Sequence, residues 1–494
     1  MSSKQNTYQQ IIKATSLFGG VQVFNILLSV IKTKVVTIII GPAGFGILGL
    51  FTATVKLILD FTKVGLDKSA VKELAEYDTL EDKTKRNEFI YVLNRVIWIT
   101  GGIGALLTII FSKFLSVKTF GDSSYTFGFI WLALAVLFSQ LSSGRMAILQ
   151  GTRQLKRLAK ANLWASTLGL LIALPLYLIF GIDGIVPAII LTYVVSFLVF
   201  YSYAKSIKVS NYGMDLKVLA IKSKSMLKLG FTLSFASLIL TLTLWLIQIF
   251  IRDKGGLEQV GFYTAGILII NAYVGMIFNA MATDYFPRLS AINKDNLAIE
   301  KVVNEQAEVA ILLITPVITI FLLFKELIIQ MLYTKSFMVI SGLVTFGILG
   351  TLFKAVSFSL GYVIIAKGDS KVYIITAIGF NLLMLIISVG SYQYAGLDGL
   401  GFGMLVYYFL HFVGIKLITT ARYKLRLSKH TLYLLMISCV ICSSVFMSVQ
   451  IDELLIRYVL SSFLVLISVV FTFKYLQNHL DFKTMISKFL KRNN

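Results

Sequence analysis

Residues 15–66 read TSLFGGVQVFNILLSVIKTKVVTIIIGPAGFGILGLFTATVKLILDFTKVGL. Two apolar runs flank the step from Gly41 to Gly46, and each is long enough to cross a bilayer, because about 20 apolar residues span a hydrocarbon core ~30 Å thick. Neither run is purely apolar. The first carries Gln22, Asn25, Ser29 and Lys32 three or four residues apart, a spacing that stacks them on one helix face. The second repeats the device with Thr52, Lys56, Asp60 and Lys63, and Lys56 falls near the middle of its span. A charge at the centre of a membrane helix costs about 2.5–3.5 kcal/mol on insertion scales. Asp60, one turn from Lys56 and Lys63, offsets part of that cost by pairing, and the remaining positive charge must face a polar cavity or another protein group. One reading is a salt bridge that only fixes helix packing. The other, preferred because intramembrane ionisable groups are functional by default, is a cationic, water-accessible cavity that receives an anion.

The rest of the chain has the same character. Of its 494 residues 57% are hydrophobic and 14% charged, and the mean hydropathy is +0.82. That composition belongs to a multi-pass membrane protein. Apolar runs of membrane-spanning length fall at 15–40, 43–66, 89–111, 123–149, 160–180, 185–206, 229–251, 259–282, 303–324, 340–364, 372–391, 398–420, 431–449 and 454–475. The expected fold is therefore all-α with about 14 transmembrane helices. The basic N-terminal stretch is followed by an apolar run too long for a signal-peptide core and without an Ala-x-Ala site, so it is expected to stay as the first span.

The formal net charge of +22 follows the same alternation. The N-terminal segment, the loops 67–88, 150–160, 205–228, 284–301, 367–371 and 421–430, and the tail from 474 hold 31 Lys and Arg. The opposite loops hold 7: Lys113, Lys118, Arg252, Lys254, Lys325, Lys335 and Arg457. By the positive-inside rule the basic side, with both termini, is cytoplasmic. Topology thus accounts for the charge, and no nucleic-acid-binding module is evident.

The opposite loops are short and carry only scattered acids such as Asp122, Asp183, Asp253, Asp398 and Asp452. No catalytic residue, metal-ligand cluster, P-loop or nucleophile motif is found, so no enzyme is expected. Cys439 and Cys442 lie in an apolar run without a nearby His, and read as small buried side chains.

A weak internal repeat relates Ser16–Ala70 to Lys228–Ser290: a polar-striped span, a short step (Gly44-Phe45-Gly46; Gly261-Phe262-Tyr263), then a second span ending in an amphipathic cytoplasmic stretch. The later copy carries Ser234, Ser237, Thr241, Trp245 and Gln248, then Asn271 and Asn279. Six spans separate the copies, an even number, so the repeats are parallel. The organisation expected is two pseudo-symmetric six-helix bundles, 1–210 and 229–424, joined by a basic cytoplasmic linker at 211–228, with two further helices and a basic tail at 425–494. Lys354 stands near the centre of the tenth span, too deep to snorkel. Arg145 and Lys416 lie near cytoplasmic ends, where snorkelling explains them, and Arg95 is intermediate. His411 reads equally as a proton-linked or a packing residue. Glu305 and Glu308 extend an amphipathic loop helix, and Pro175, Pro187 and Pro316 are candidate kinks.

In order and spacing, GPAGFGILGLF (41–51), LDFTKVGLDKSAVKELAEY (59–77), VGFYTAGILI (260–269), TDYFPRLSAI (283–292) and LFKAVSFSLGYVIIAKGDSKVYI (352–374) resemble the Wzx-type O-antigen and enterobacterial-common-antigen flippases. These belong to the multidrug/oligosaccharidyl-lipid/polysaccharide exporter superfamily, and the resemblance is clearest over spans one to twelve. It implies translocation of an undecaprenyl-pyrophosphate-linked oligosaccharide from the inner to the outer leaflet of the bacterial inner membrane, in lipopolysaccharide biosynthesis, by alternating access between two six-helix bundles. The reading of the residues fits this, since Lys32, Lys56 and Lys354 can replace the hydration of the pyrophosphate, and of these Lys354 in LFKAV matches the family's pattern better than Lys56. Gln22, Asn25, Ser29, Thr52, Thr241, Gln248 and Asn271 then line a wet route for the sugar. Family members are driven by ion gradients or the membrane potential, as antiporters, which makes Asp60 the candidate coupling acid and H+ or Na+ the candidate ion, with no other cofactor. Expected partners are the lipid-linked oligosaccharide, membrane lipids, a polysaccharide polymerase and a chain-length regulator, and no nucleic acid. Three rivals remain: an organic-cation efflux carrier, which should present acids at mid-depth; a membrane-embedded polysaccharide-assembly enzyme; and a scaffold for such enzymes.

Overall fold

The computed structural model describes residues 2–79, 82–207 and 212–479, and among these there is helix and turn but no strand. The basic tail beyond 479 and part of the expected linker (208–211) lie outside the described residues. Among the described residues ten stretches are long and apolar enough to cross a membrane. Four of them are interrupted by a glycine in the left-handed region: Gly41 (φ 63°), Gly181 (φ 57°), Gly256 (φ 78°) and Gly396 (φ 59°). A side chain there would be strained, so glycine supplies the reversal between two apolar runs without a longer loop.

Cα packing divides the chain into two compact units, Met1–Thr264 with Leu332–Thr334, and Ala265–Met331 with Lys335–Asn494. The first holds α1 (Ser2–Lys63, broken at Gly41), α2 (Leu66–Thr79), α3 (Lys83–Ile110), α4 (Ser112–Phe120), α5 (Thr126–Gly151), α6 (Leu155–Phe180), α7 (Ile185–Ala204) and most of α8 (Leu216–Leu268). Asp82 caps α3 by accepting the Lys85 amide at 2.9 Å, a bond worth about 1 kcal/mol to the helix. The expected linker is not a loop along its length: from Leu216 it is already helix, continuous with the seventh apolar run. The sequence LKVLAIKSKSMLKL lacks a breaker, and Leu219 and Met226 leave water to join a core of Leu66, Leu74, Ile90, Leu93 and Ile148. That burial decides against a free linker.

The second unit holds α9 (Met276–Ala291), α10 (Asn296–Leu332), α11 (Ser341–Ala366), α12 (Ser370–Tyr423, broken at Ala395 and Gly396), α13 (Lys429–Ser448) and α14 (Leu454–His479). A π-helical turn, Ile269–Val274, precedes α9. Helical dihedrals in α10 fail at Phe324 (φ −105°, ψ 15°), eight residues after Pro316, where a kink was expected. A polar cluster fixes the start of α13. The Asn304 amide donates to the Arg426 carbonyl at 3.1 Å, its oxygen accepts the Ser428 amide at 2.8 Å, and Thr431 Oγ1 reaches Glu308 Oε1 at 2.8 Å. Glu305 and Glu308 lie within α10 itself.

Candidate functional site

The second half of α1 and the N-terminal half of α8 make the site. At one end α1 touches the part of α8 that follows its break at Gly256. A Cβ on Gly46 would lie 2.0 Å from the Leu257 carbonyl oxygen, and one on Gly261 would lie 1.9 Å from the Pro42 oxygen. The two glycine steps read as equivalent in the internal repeat thus pack on each other. At the other end Gly65, with φ 63°, turns the chain from α1 into α2, and a Cβ there would meet the Ser234 hydroxyl at 1.9 Å and the Gly230 oxygen at 2.1 Å. Between these contacts Trp245 Nε1 donates to Thr54 Oγ1 at 2.9 Å, buried, and Thr119 shares that hydroxyl at 3.2 Å.

Between the helices lies a cavity of about 210 Å³, lined by Lys56, Asp60, Lys63, Gly65, Asp67, Lys68, Ser234, Ser237, Leu240 and Thr241. Lys56, Asp60 and Thr241, singled out from sequence, come together here. Three lysines face two carboxylates, so the lining carries a net charge of +1 with all groups ionised. The expected pairing of Asp60 with a lysine is not how the acid is held. Asp60 Oδ2 accepts from Thr241 Oγ1 at 2.7 Å, and among the described residues no lysine closes an ion pair with it. A hydroxyl stabilises the carboxylate by a charge-assisted bond, about 1.5–3 kcal/mol, without cancelling a cation. Lys68 does spend its donors, on the Leu233 carbonyl and the Ser237 hydroxyl, both at 3.2 Å.

A second cavity, about 320 Å³, adjoins the first and shares Asp60 and Ser234 with it. Its walls are otherwise Phe61, Thr62, Val64, Thr100, Ile103, Leu107, Phe231, Phe235 and Leu238. A cationic compartment and an apolar one therefore meet at a carboxylate and a serine whose buried hydroxyl has no protein partner.

The remaining expected residues are placed elsewhere. Lys32 is half-buried, Gln22 is exposed, and Asn25 and Ser29 are intermediate. None of the four lines either cavity. Thr52 is exposed one turn before Lys56 and turns its hydroxyl back to the Leu48 and Gly49 carbonyls. Gln248 is buried with Oε1 unpartnered. In the second unit, Asn271 is exposed on the π-helical turn. Lys354 projects its ammonium over two rings, 5.5 Å from the Phe278 centroid and 5.4 Å from Tyr408. His411 packs against the rings of Phe380 and Tyr407 at 4.4 and 5.8 Å. Asp67 and Lys68 were not expected. They follow Gly65 in the first turn of α2, and the left-handed turn that brings them to the cavity is signalled only by that glycine. Among the described residues no group of acids, His and Cys is placed to hold a metal.

Comparison with solved structures gives the fold. A lipid II flippase, MurJ, in an inward closed conformation superposes with a TM-score of 0.71 at 14% identity, covering 94% of this chain and 99% of the other. An inward-facing multidrug resistance transporter of the MATE family of the MOP superfamily gives 0.68 at 17% identity, covering 82% and 94%. A MOP-superfamily transporter from Pyrococcus furiosus, described as having a binding pocket of reversed polarity that suggests a different function, gives 0.59 at 16% identity, covering 83% and 96%. At these identities the likeness is one of fold, and it makes the all-helical architecture MurJ- and MATE-like. No curated protein sequence matches the chain. The profile of a family described as polysaccharide biosynthesis protein matches residues 13–341, about two thirds of the length, and the chain accordingly belongs to that family.

Proposed function

We propose that the protein is a flippase that carries an anionic lipid-linked oligosaccharide, of the undecaprenyl-pyrophosphate type and with an O-antigen-like repeat unit, from the inner to the outer leaflet of a bacterial inner membrane. The observation that carries this reading is the pair of adjoining cavities. One offers lysines and hydroxyls to a phosphate-bearing head, the other offers aromatic and aliphatic walls to a hydrocarbon, and such a pair fits an amphiphile. Moving a phosphate across the membrane core requires that its hydration be replaced, and Lys56 with Lys63 supplies charge where the dielectric constant is low. Lys32 and Lys354 complete the cation set, and the stripe from Gln22 to Ser29 with Thr52, Gln248 and Asn271 lines the sugar's route. Membership of a polysaccharide biosynthesis family and a fold shared with a lipid II flippase support the same substrate class.

In this reading the chain crosses the membrane fourteen times, the four left-handed glycines marking reversals, with both termini cytoplasmic, two six-helix bundles (1–210 and 229–424) and an alternating-access cycle. Asp60 couples an ion to transport. Binding of H+ or Na+ at Asp60 raises the cavity's charge by one unit, so ion and anion each tighten the other's binding. A polymerase that consumes the exported unit and its chain-length regulator are the partners this role requires. The MATE-like fold also suits an efflux carrier for organic cations, and the sign of the cavity separates the two readings. Displacement of a labelled polyprenyl pyrophosphate from the detergent-purified chain tests them: inorganic pyrophosphate is expected to compete and a cationic dye is not. Competition by the dye alone would hand the site to efflux.

A further inference from the structure

The second unit contains a cavity of about 280 Å³ that the transport reading leaves unused. It forms where α10 breaks at Phe324, against the turn between α13 and α14. Lys325, Glu326, Arg457 and Tyr458 line it, together with Leu322, Leu327 and neighbouring apolar residues. Two cations and one carboxylate line it, and Asp398 acts on Lys325 from beyond the lining. Among the described residues neither Lys325 nor Arg457 closes an ion pair within 4 Å, and Arg457 Nε is buried without a hydrogen-bond partner. The guanidinium carbon lies 5.6 Å from the Tyr458 ring centroid. An unpaired arginine beside a lysine is the donor set for a phosphoryl group, which accepts the arginine fork bidentately and the lysine as a point charge.

The surroundings say what bears that phosphoryl group. Next to the cations the first turns of α14 expose Leu454 and Leu455, 59% and 73% accessible, and the kinked end of α10 exposes Leu327, 65% accessible. A soluble phosphate would make no use of this apolar rim, whereas a lipid would lay its acyl chains on it.

We propose that this cavity binds the headgroup phosphate of an anionic phospholipid, with Arg457 and Lys325 on the phosphate and the exposed leucines against the chains. The inference rests on the membrane placement in the reading above and is independent of the cargo: the site lies within the second unit and uses none of the residues assigned to transport.

The test is lipid binding by the full-length chain in nanodiscs of phosphatidylcholine, read from retention of added phosphatidylglycerol by native mass spectrometry. Phosphatidylglycerol should be retained by the unaltered chain, and the double variant Lys325→Gln/Arg457→Gln should bind it about tenfold more weakly, the loss of one charge-assisted contact set. Glu326→Gln, which removes the opposing charge and threatens no fold, should strengthen retention about threefold. That variant carries the test by itself if the double variant does not fold. Equal retention by unaltered chain and variants would overturn the proposal, as would equal retention of diacylglycerol. Protection by millimolar inorganic phosphate in place of the lipid would overturn the lipid assignment and leave an ion site. Because transport is not the readout, failure here leaves the flippase reading standing, and failure of transport leaves this site standing.

Discussion

Lys56 and Lys354 look alike in the sequence, each a cation near the middle of an apolar run, yet the structure surrounds them differently. Lys56 is exposed into a cavity with two further lysines, two carboxylates and the hydroxyls of Ser237 and Thr241. Lys354 lies over the faces of Phe278 and Tyr408, which hold an ammonium by about 0.5–2 kcal/mol without neutralising it. One lysine shares its cavity with acids, hydroxyls and other cations. The other lies over aromatic rings. The difference teaches that what a mid-span lysine can contribute is set by its neighbours: Lys56 sits among acids and hydroxyls, Lys354 among rings.

The largest expected effect separates the two directly. Lys56→Ala removes one of the three cations of that cavity and should slow movement of the lipid-linked anion by about 30-fold or more, the consequence of losing at least ~2 kcal/mol of a charge contact to the anion. Lys354→Ala should cost about tenfold, as a cation outside the cavity is lost while the cavity stays intact. Initial rates in proteoliposomes check both. Next in size is the cavity's shape. Gly65→Ala pushes a methyl into the Ser234 hydroxyl and the Gly230 oxygen and strains a left-handed residue. It should destabilise the chain by ~1–3 kcal/mol, visible as a lowered melting temperature and weaker anion binding.

Smaller effects test the regulation. Asn at position 60 can still accept from Thr241, so Asp60→Asn should fold normally while losing the dependence of anion affinity on pH or Na+. An unchanged ion dependence would remove Asp60 from coupling. Tyr408→Leu takes away one of the rings under Lys354, and should lower stability by about 0.5–2 kcal/mol with little change in the pH profile. The smallest change contrasts Asp60 with an acid outside the spans. Asp369 caps α12 through the Val372 amide and accepts from Arg422 Nε at 3.2 Å, and these bonds hold its carboxyl below the usual carboxylate range. Its pKa is depressed in the folded state, so its contribution is present above the unfolded value of about 3.9 and is lost as pH falls through the folded value. Asp369→Asn should therefore show a shallower loss of melting temperature below about pH 4 than the unaltered chain.

Much of this was legible because helical spacing states its own consequences. Lys56, Asp60 and Lys63 share a face by arithmetic, and the glycine step at 41–46 marks the break between the first two apolar runs. The equivalence of Gly44-Phe45-Gly46 with Gly261-Phe262-Tyr263 is a pattern match, and their packing on each other is what such a repeat allows. What could not be read was partnership between distant helices. Nothing in the polar stripe of the seventh run says that Thr241 meets Asp60 or that Trp245 meets Thr54, since period and composition identify a face and not what it packs against. Lys68 was read as a loop cation for the same reason. Its place depends on two consecutive left-handed residues, Val64 (φ 49°) and Gly65 (φ 63°), and its partners come from a helix 165 residues on. The linker misled because a basic composition is compatible with both a solvated loop and an amphipathic helix. Burial of Leu219 and Met226 resolved it.

The central claim is that the cation-lined cavity moves an anionic lipid, and transbilayer movement of a labelled polyprenyl-pyrophosphate oligosaccharide in proteoliposomes tests it most directly. Vesicles holding the unaltered chain should translocate the lipid, and those holding folded Lys56→Ala should stall, with Lys354→Ala between them. Translocation by Lys56→Ala at the unaltered rate, or export of cationic dyes with no movement of the anionic lipid, would contradict the account.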